Sequence, residues 1–167
     1  MAPAITLTPA QPSEQNLSAI VQLRKECGWG ADDVPDWFAQ MQAGKRVNYI
    51  VTDNTKPNDI VGMVCLVLDD SQDPDLASPA ESKGCISKLF VRTQYQGMGY
   101  GRAIMDAIED IARTEYALRT VSLTATNSEN DVALAMYRRR GYKEFRPPRE
   151  VFWHSGGEAS LIKSLEV

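Results

Sequence analysis

QYQGMGYG, residues 94–101, lies between KLFV at 88–91 and RAIMDAIEDIA at 102–112. KLFV has the composition of a strand, and the downstream segment repeats apolar residues at helical spacing. Gly97, Gly99 and Gly101 therefore occupy a strand-to-helix turn. A helix N-terminus carries N–H groups without intrahelical partners and a partial positive charge, so it suits an anion such as phosphate. Glycines let the anion approach the backbone and tolerate positive φ. Arg102, in the first helical turn, can add an ionic contact. The segment reads as a phosphate or pyrophosphate clamp, the alternative being a tight turn with no ligand. A P-loop is excluded because no Lys-Ser/Thr pair follows Gly101, and the dinucleotide fingerprint fails because position 104 is Ile.

Working outward, residues 101–117 form an amphipathic helix with Ile104, Ile108 and Ile111 on one face. The preceding strand, 84–91, places Ile86, Leu89 and Val91 at spacings of three and then two, so a bulge near Lys88 is needed to bring them to one face. Upstream, the pattern predicts a helix over 14–26 capped by Ser13, and a second over 33–43 with Asp32 or Asp33 as cap and Pro35 in its first turn. VNYIVTD (47–53) and IVGMVCLVLD (60–69) read as a hairpin joined by TKPND. Residues 69–82, with aspartates at 69, 70, 73 and 75, read as a mobile acidic loop able to attract a cationic amine or simply to face solvent.

Downstream, TVSLTAT (120–126) is a strand, and NSEN (127–130) offers caps for a short helix over 131–140. YKEF (142–145) begins a strand broken at Pro147-Pro148, Gly156-Gly157 makes a turn, and ASLIKSLEV is a last strand. Residues 1–12 are a flexible lead or a short first strand. The whole is a mixed α/β sheet flanked by helices, with a single domain expected over 1–167.

Composition is that of an ordinary globular chain: 43% hydrophobic and 24% charged over 167 residues. No segment approaches the roughly 18 apolar residues of a membrane span, and the N-terminus has no secretory pattern. The net charge of -4 disfavours nucleic acid as the main partner. Cys27, Cys65 and Cys85 are odd in number and far apart, which suits buried thiols in a reducing, cytoplasmic or also nuclear, compartment. One histidine, His154, and no CxxC point away from a metal site.

KLFVRTQYQGMGYGRAIM resembles the acetyl-coenzyme A signature Q/R-x-x-G-x-G/A of the GCN5-related N-acetyltransferase (GNAT) family, with Gln96, Gly99 and Gly101 in its places and Gly97 in the usual extra one. NSENDVALAMYRRRGYKEF is similar to the family's second hallmark, with Asn127, Tyr137, Gly141 and Tyr142 filling it. The resemblance implies a mostly antiparallel sheet splayed between its fourth and fifth strands. It also implies acetyl-coenzyme A as cofactor and direct transfer of acetyl to a primary amine, on a small molecule or a peptide. A homodimer is compatible with it.

The resemblance places the pantetheine arm on the backbone of Leu89, Phe90 and Val91, and the pyrophosphate on the N–H groups of Gln96, Gly97, Met98, Gly99, Tyr100, Gly101 and Arg102. Asn127 bonds the arm from the other strand, Ala133 lets it lie close to the helix, and Tyr137 contacts it and protonates the leaving sulfur. Backbone N–H groups near Leu89 or Phe90 would hold the oxyanion. Where several members carry a glutamate base on the fourth strand, this chain has Cys85, Ile86, Ser87 and Lys88, leaving Glu81 or water as the proton acceptor. Trp29, Trp37 and Trp153 are candidates for the acceptor pocket; Trp37 could equally be a helix anchor. A covalent route through Cys85 and an acyl-coenzyme A-binding module without turnover are the competing readings.

Overall fold

The computed structural model describes residues 2–166. Its strands are β1 (Ile5–Pro9), β2 (Arg46–Asp53), β3 (Lys56–Val67), β4 (Lys83–Val91), β5 (Thr120–Thr126), β6 (Lys143–Val151) and β7 (His154–Ser164). They form one sheet in the order β1-β2-β3-β4-β5-β7-β6. Among the described residues, only the β4–β5 pair is parallel. No helix among the described residues is long and apolar enough to cross a membrane.

Strand alternation divides the core between the two faces. On one face, α1 (Glu14–Cys27) and α2 (Val34–Gln42) bury Ile20, Leu23, Val34, Trp37 and Phe38 against Ile50, Met63 and Cys65. On the other, α3 (Tyr100–Thr114) and α4 (Val132–Arg139) bury Ile104, Ile108 and Leu134 against Val47, Tyr49, Val64 and Ile86. Ser13 caps α1 as expected, its side chain accepting from the Asn16 N–H.

Several local expectations are corrected. A short 3-10 turn (Ala31–Asp33) leads into α2, so Asp33 is already wound at φ -86 and makes no side-chain cap. The cap of α4 is Asp131, which accepts from Leu134 N at 2.7 Å, and not a residue of NSEN. TKPND is mostly strand; the chain reverses at Asn54-Thr55, where Asp53 Oδ1 accepts from the Thr55 N–H and hydroxyl. Pro147 and Pro148 lie within β6, an edge strand, at a bulge where the two together face Ala159 between the Arg146↔Ser160 and Arg149↔Glu158 pairs, so neither has to donate to the ladder. The last hairpin turns at Phe152-Trp153. Gly156-Gly157 is inside β7, where a Cβ on Gly156 would stand 2.4 Å from the Asn127 carbonyl oxygen.

The acidic loop is held in place. Asp73 takes both Nη atoms of Arg146 at 2.9 Å and Arg149 at 2.9 Å, and Asp70 accepts from the Gln72 and Asp73 N–H groups. The hydrogen bonds from Arg146 hold the Asp73 carboxyl below its usual range.

The expected bulge is present. Cys65 pairs with Ser87 and Met63 with Phe90, so Lys88 and Leu89 together face Val64. Lys88 takes φ 57, and Ile86, Leu89 and Val91 all pack toward the α3 face. A bulge bends and twists its strand, and here β4 leaves β5. The two pair only at Lys83↔Thr120, Gly84↔Val121 and Cys85↔Ser122, whereas β4 stays with β3 as far as Gly62↔Val91 and β5 stays with β7 as far as Thr126↔Glu158. The sheet is therefore open between β4 and β5 from Ile86 onward. Close approach of β3 to the bent strand needs Gly62, where a Cβ would lie 2.2 Å from the Phe90 carbonyl oxygen. Gly62→Ala is expected to lower stability by about 1–3 kcal/mol, the usual scale of an overpacked core. A urea melt of the variant measures it.

Candidate active site

The glycine turn follows β4 at the open end of the splay. After β4, Thr93–Tyr95 makes one 3-10 turn. Gln96 Nε2 then donates to the Val91 carbonyl at 2.8 Å and braces the strand end, while the Gln96 N–H donates to Thr93 O. That N–H is thus engaged and drops out of the proposed anion set. The N–H groups of Gly97, Met98, Gly99, Tyr100, Gly101 and Arg102 have no acceptor among the described residues; the first helical bond is Ala103 N to Gly99 O. Gly97 and Gly99 have φ 76 and 88. A Cβ on Gly97 or Gly101 would meet nothing within 4 Å. Tyr100 can offer only its backbone, since its ring is buried and its hydroxyl bonds Asp53. That bond ties the first turn of α3 to β2. The hydroxyls of Thr55 and Tyr100 draw the Asp53 carboxyl down to about 2. Arg102 is exposed and forms no ion pair with a described residue.

Asn127, just past the open end of β5, donates from Nδ2 to Gly156 O at 2.9 Å and from its backbone to Gly157 O. It joins β5 to β7 rather than capping α4. Ala133 is exposed in the first turn of α4. One turn on, Tyr137 is 8% exposed, with its ring 6.0 Å from Tyr142 in an edge arrangement. Its hydroxyl makes no hydrogen bond to a described residue. Burial, and then the charge of Asp131, push the phenol up to about 12, so it is fully protonated at neutral pH.

On the α1–α2 face beside the bulge, Trp29 and Trp37 come together at Lys88, whose Nζ is 4.5 and 5.5 Å from their ring centres. Trp37 is buried in the core and Trp29 is 57% exposed. Trp153 sits at the β6–β7 turn, at the same end of the sheet, against Phe152. Glu81 is not brought to this end. It pairs with Lys83 at 3.5 Å where β4 and β5 are still joined. At about 3.3 Å per residue, Leu89 lies roughly 20 Å along the strand from Lys83. The acidic loop starts from the joined end, where Leu76 O accepts from Ser122 Oγ, and reaches along the sheet to Arg146 and Arg149, whose partners Ser160 and Glu158 lie opposite Thr124 and Thr126. Cys85 is buried at the joined end, and burial raises its thiol to about 11, which leaves little thiolate for a covalent route.

Three cations were not read from the sequence as site residues, Lys88 having been singled out only for the bulge. Arg24, Arg46 and Lys88 converge on the two indoles, with Arg24 4.4 Å from Trp29 and Arg46 4.8 Å from Trp37. A signal existed for two of them: Arg24 continues the buried Ile20-Leu23 stripe of α1, and Arg46 alternates with Val47 toward the α1–α2 face.

A parallel strand pair thus parts beside a strand–glycine turn–helix, which leaves an opening between two strands with unpartnered N–H groups at its end. Residues 15–142 match the sequence model of the acetyltransferase (GNAT) family, and the chain belongs to that family. An aminoglycoside 2'-N-acetyltransferase from Mycolicibacterium fortuitum is 32% identical over 73 residues, covering 44% of this chain and 34% of the relative, so the match spans about a third of that protein. The spermidine N-acetyltransferase of Vibrio cholerae, solved with CoA and spermine, superposes with a TM-score of 0.74 at 17% identity, over 96% of this chain and 95% of that one. A GNAT-family protein from Desulfovibrio desulfuricans gives 0.76 at 13% identity over 98% and 100%. These likenesses bear on the fold.

Proposed function

We propose that the chain is an acetyl-coenzyme A-dependent N-acetyltransferase acting by direct transfer to a primary amine. The carrying observation is the opening between β4 and β5 next to a turn with six N–H groups that lack described acceptors. These residues suit the cofactor. Open space at Gly97 and Gly101 admits a pyrophosphate, and the unpaired edge of β4 at Leu89 and Val91 can bond an amide-containing arm, the Phe90 carbonyl being turned instead to Gly62 of β3. Acetyl-coenzyme A, when bound, supplies the acetyl group as a thioester. Tyr137 Oη holds the proton for the departing sulfur, Asn127 fixes the end of β5, and exposed Ala133 leaves α4 open to the arm. The names of the relatives, which act on an aminoglycoside and on spermidine, support an amine acceptor. Incubation with acetyl-coenzyme A and a panel of amines, read by mass spectrometry, tests the reading. Cofactor binding without any acetylated product would favour a binding module.

Arg102 provides a narrower test. With no described ion pair to lose, Arg102→Ala is expected to change stability by under about 0.5 kcal/mol. If Arg102 contacts phosphate, the variant binds coenzyme A roughly tenfold more weakly, as for one charge-assisted bond. Its affinity for dephosphorylated pantetheine should hold. Calorimetry with both ligands measures the difference; equal loss for the two would remove the phosphate contact.

A further inference from the structure

We infer that the acceptor amine carries an anionic group, which binds among Arg24, Arg46 and Lys88 on the α1–α2 face of the bulge. The inference rests on the acetyltransferase reading and names its substrate class. Arg24 is 1% exposed and Arg46 6%. Arg24 Nε donates to Trp29 O at 3.2 Å and Arg46 Nε to Asn48 Oδ1 at 2.9 Å, but the Nη2 atoms of both arginines are buried with no hydrogen-bond partner. Ser87 Oγ, on the same face as Cys65 by strand register, is also buried and unpartnered. Lys88 forms no ion pair with a described residue, and burial followed by the charges of Arg46 and Arg24 lowers its pKa. Among the described residues, no carboxylate forms an ion pair with any of the three cations. Asp32 and Asp33 line the outer part of the adjoining depression, of about 480 Å³, without pairing with either arginine. Glu26 is engaged by Arg92 at 3.0 Å.

Three like charges held together out of water oppose one another, and indole faces attract cations without neutralising them. What is missing is an acceptor with negative charge and several lone pairs. A carboxylate or phosphate supplies it, because its oxygens can take the guanidinium N–H groups and the ammonium together. The location selects the acceptor rather than the cofactor. Lys88 immediately precedes Leu89 at the open splay, but its ammonium lies on the α1–α2 face, whereas the glycine turn leads into α3 on the other. A small amine with its anion at this cluster can present its nitrogen to the opening. The burial of the cations suits a single small anionic group better than a broad macromolecular surface. The same cluster disfavours polyamines, whose charge would be repelled.

The test compares acetyl transfer to glutamate and the other amino acids, to their α-amides, to phosphoethanolamine and ethanolamine, and to spermidine. Expected is a kcat/KM at least roughly tenfold higher for an anionic amine than for its neutral counterpart. The amino acid and phosphoethanolamine arms tell carboxylate from phosphate. In Lys88→Met, which keeps a straight side chain at the same strained φ, the anionic-to-neutral ratio should fall toward one, mainly through KM. Arg46→Gln should do the same if it folds. A neutral amine or spermidine preferred over every anionic amine overturns the inference and leaves the acetyltransferase reading standing. So does equal loss for anionic and neutral acceptors in Lys88→Met, which would make the cluster structural. If no amine is acetylated, the acetyltransferase reading falls first, and calorimetry of glutamate and phosphoethanolamine with and without coenzyme A decides the anion site. Absence of binding to either state overturns it.

Discussion

Tyr137→Phe should lower the rate of acetyl transfer by roughly ten- to a thousandfold in single-turnover conditions, the scale of losing a general acid. The substitution keeps the ring that packs edge-on to Tyr142 and removes a hydroxyl with no described hydrogen-bond partner. Stability should therefore change by under about 0.5 kcal/mol. Cofactor affinity should hold. A thioester whose thiol is more acidic needs less protonation and should narrow the defect. Because the phenol is raised to about 12 in the free protein, an alkaline limb of kcat/KM set by this proton lies near that value and not near the ordinary phenol pKa of about 10. The same shift has a signed effect on folding. Below about pH 10 both folded and unfolded chains keep the proton, and between there and the folded value the unfolded chain loses it first, so stability falls as pH rises. Transfer at the parent rate by the Phe variant would move the acid role to another group or to water. Steady-state turnover alone would not decide, since slow product release can mask the chemical step.

The second large effect concerns Gly101. Replacing Gly97 or Gly99 is a confounded experiment, since both have positive φ and any side chain strains the turn. Gly101 has no such constraint, and a Cβ there meets nothing within 4 Å. Gly101→Leu should thus fold at least as well as the parent, leucine being the better helix former, while its side chain fills the space in front of the free N–H groups. Expected is a fall in coenzyme A affinity of roughly ten- to a hundredfold, equivalent to one or two charge-assisted hydrogen bonds. Thermal melting without ligand and calorimetry with coenzyme A separate the two effects. Unchanged affinity in a folded variant would remove the anion role of the turn.

Both variants also show how the site divides between chain and fold. The glycine turn was legible from QYQGMGYG because its physics is local: a strand, residues without side chains and a helix start, all within a few positions. The bulge at Lys88 was legible too, since Ile86, Leu89 and Val91 cannot share a face in a regular strand. Family membership followed from two short hallmarks. Turn and cap details were less accessible. A proline pair is compatible with an edge strand that bulges at it, and nothing within residues 143–151 tells that this strand lies at the rim of the sheet or slips its register there.

The electrostatics of the site were decided by tertiary structure. The aspartates at 69–75 suggested attraction of a cation, but folding sets the chain's own Arg146 and Arg149 against Asp73. Arg24, Arg46 and Lys88 come from a helix and two strands and look like ordinary charges in their own segments. Only the packing of α1 and α2 over β2 and β4 brings them to the same two indoles. Local patterns follow from the repeat of one element, which the order of residues carries. The balance of charge at a buried point depends on which elements meet there, and on how far water is excluded when they do.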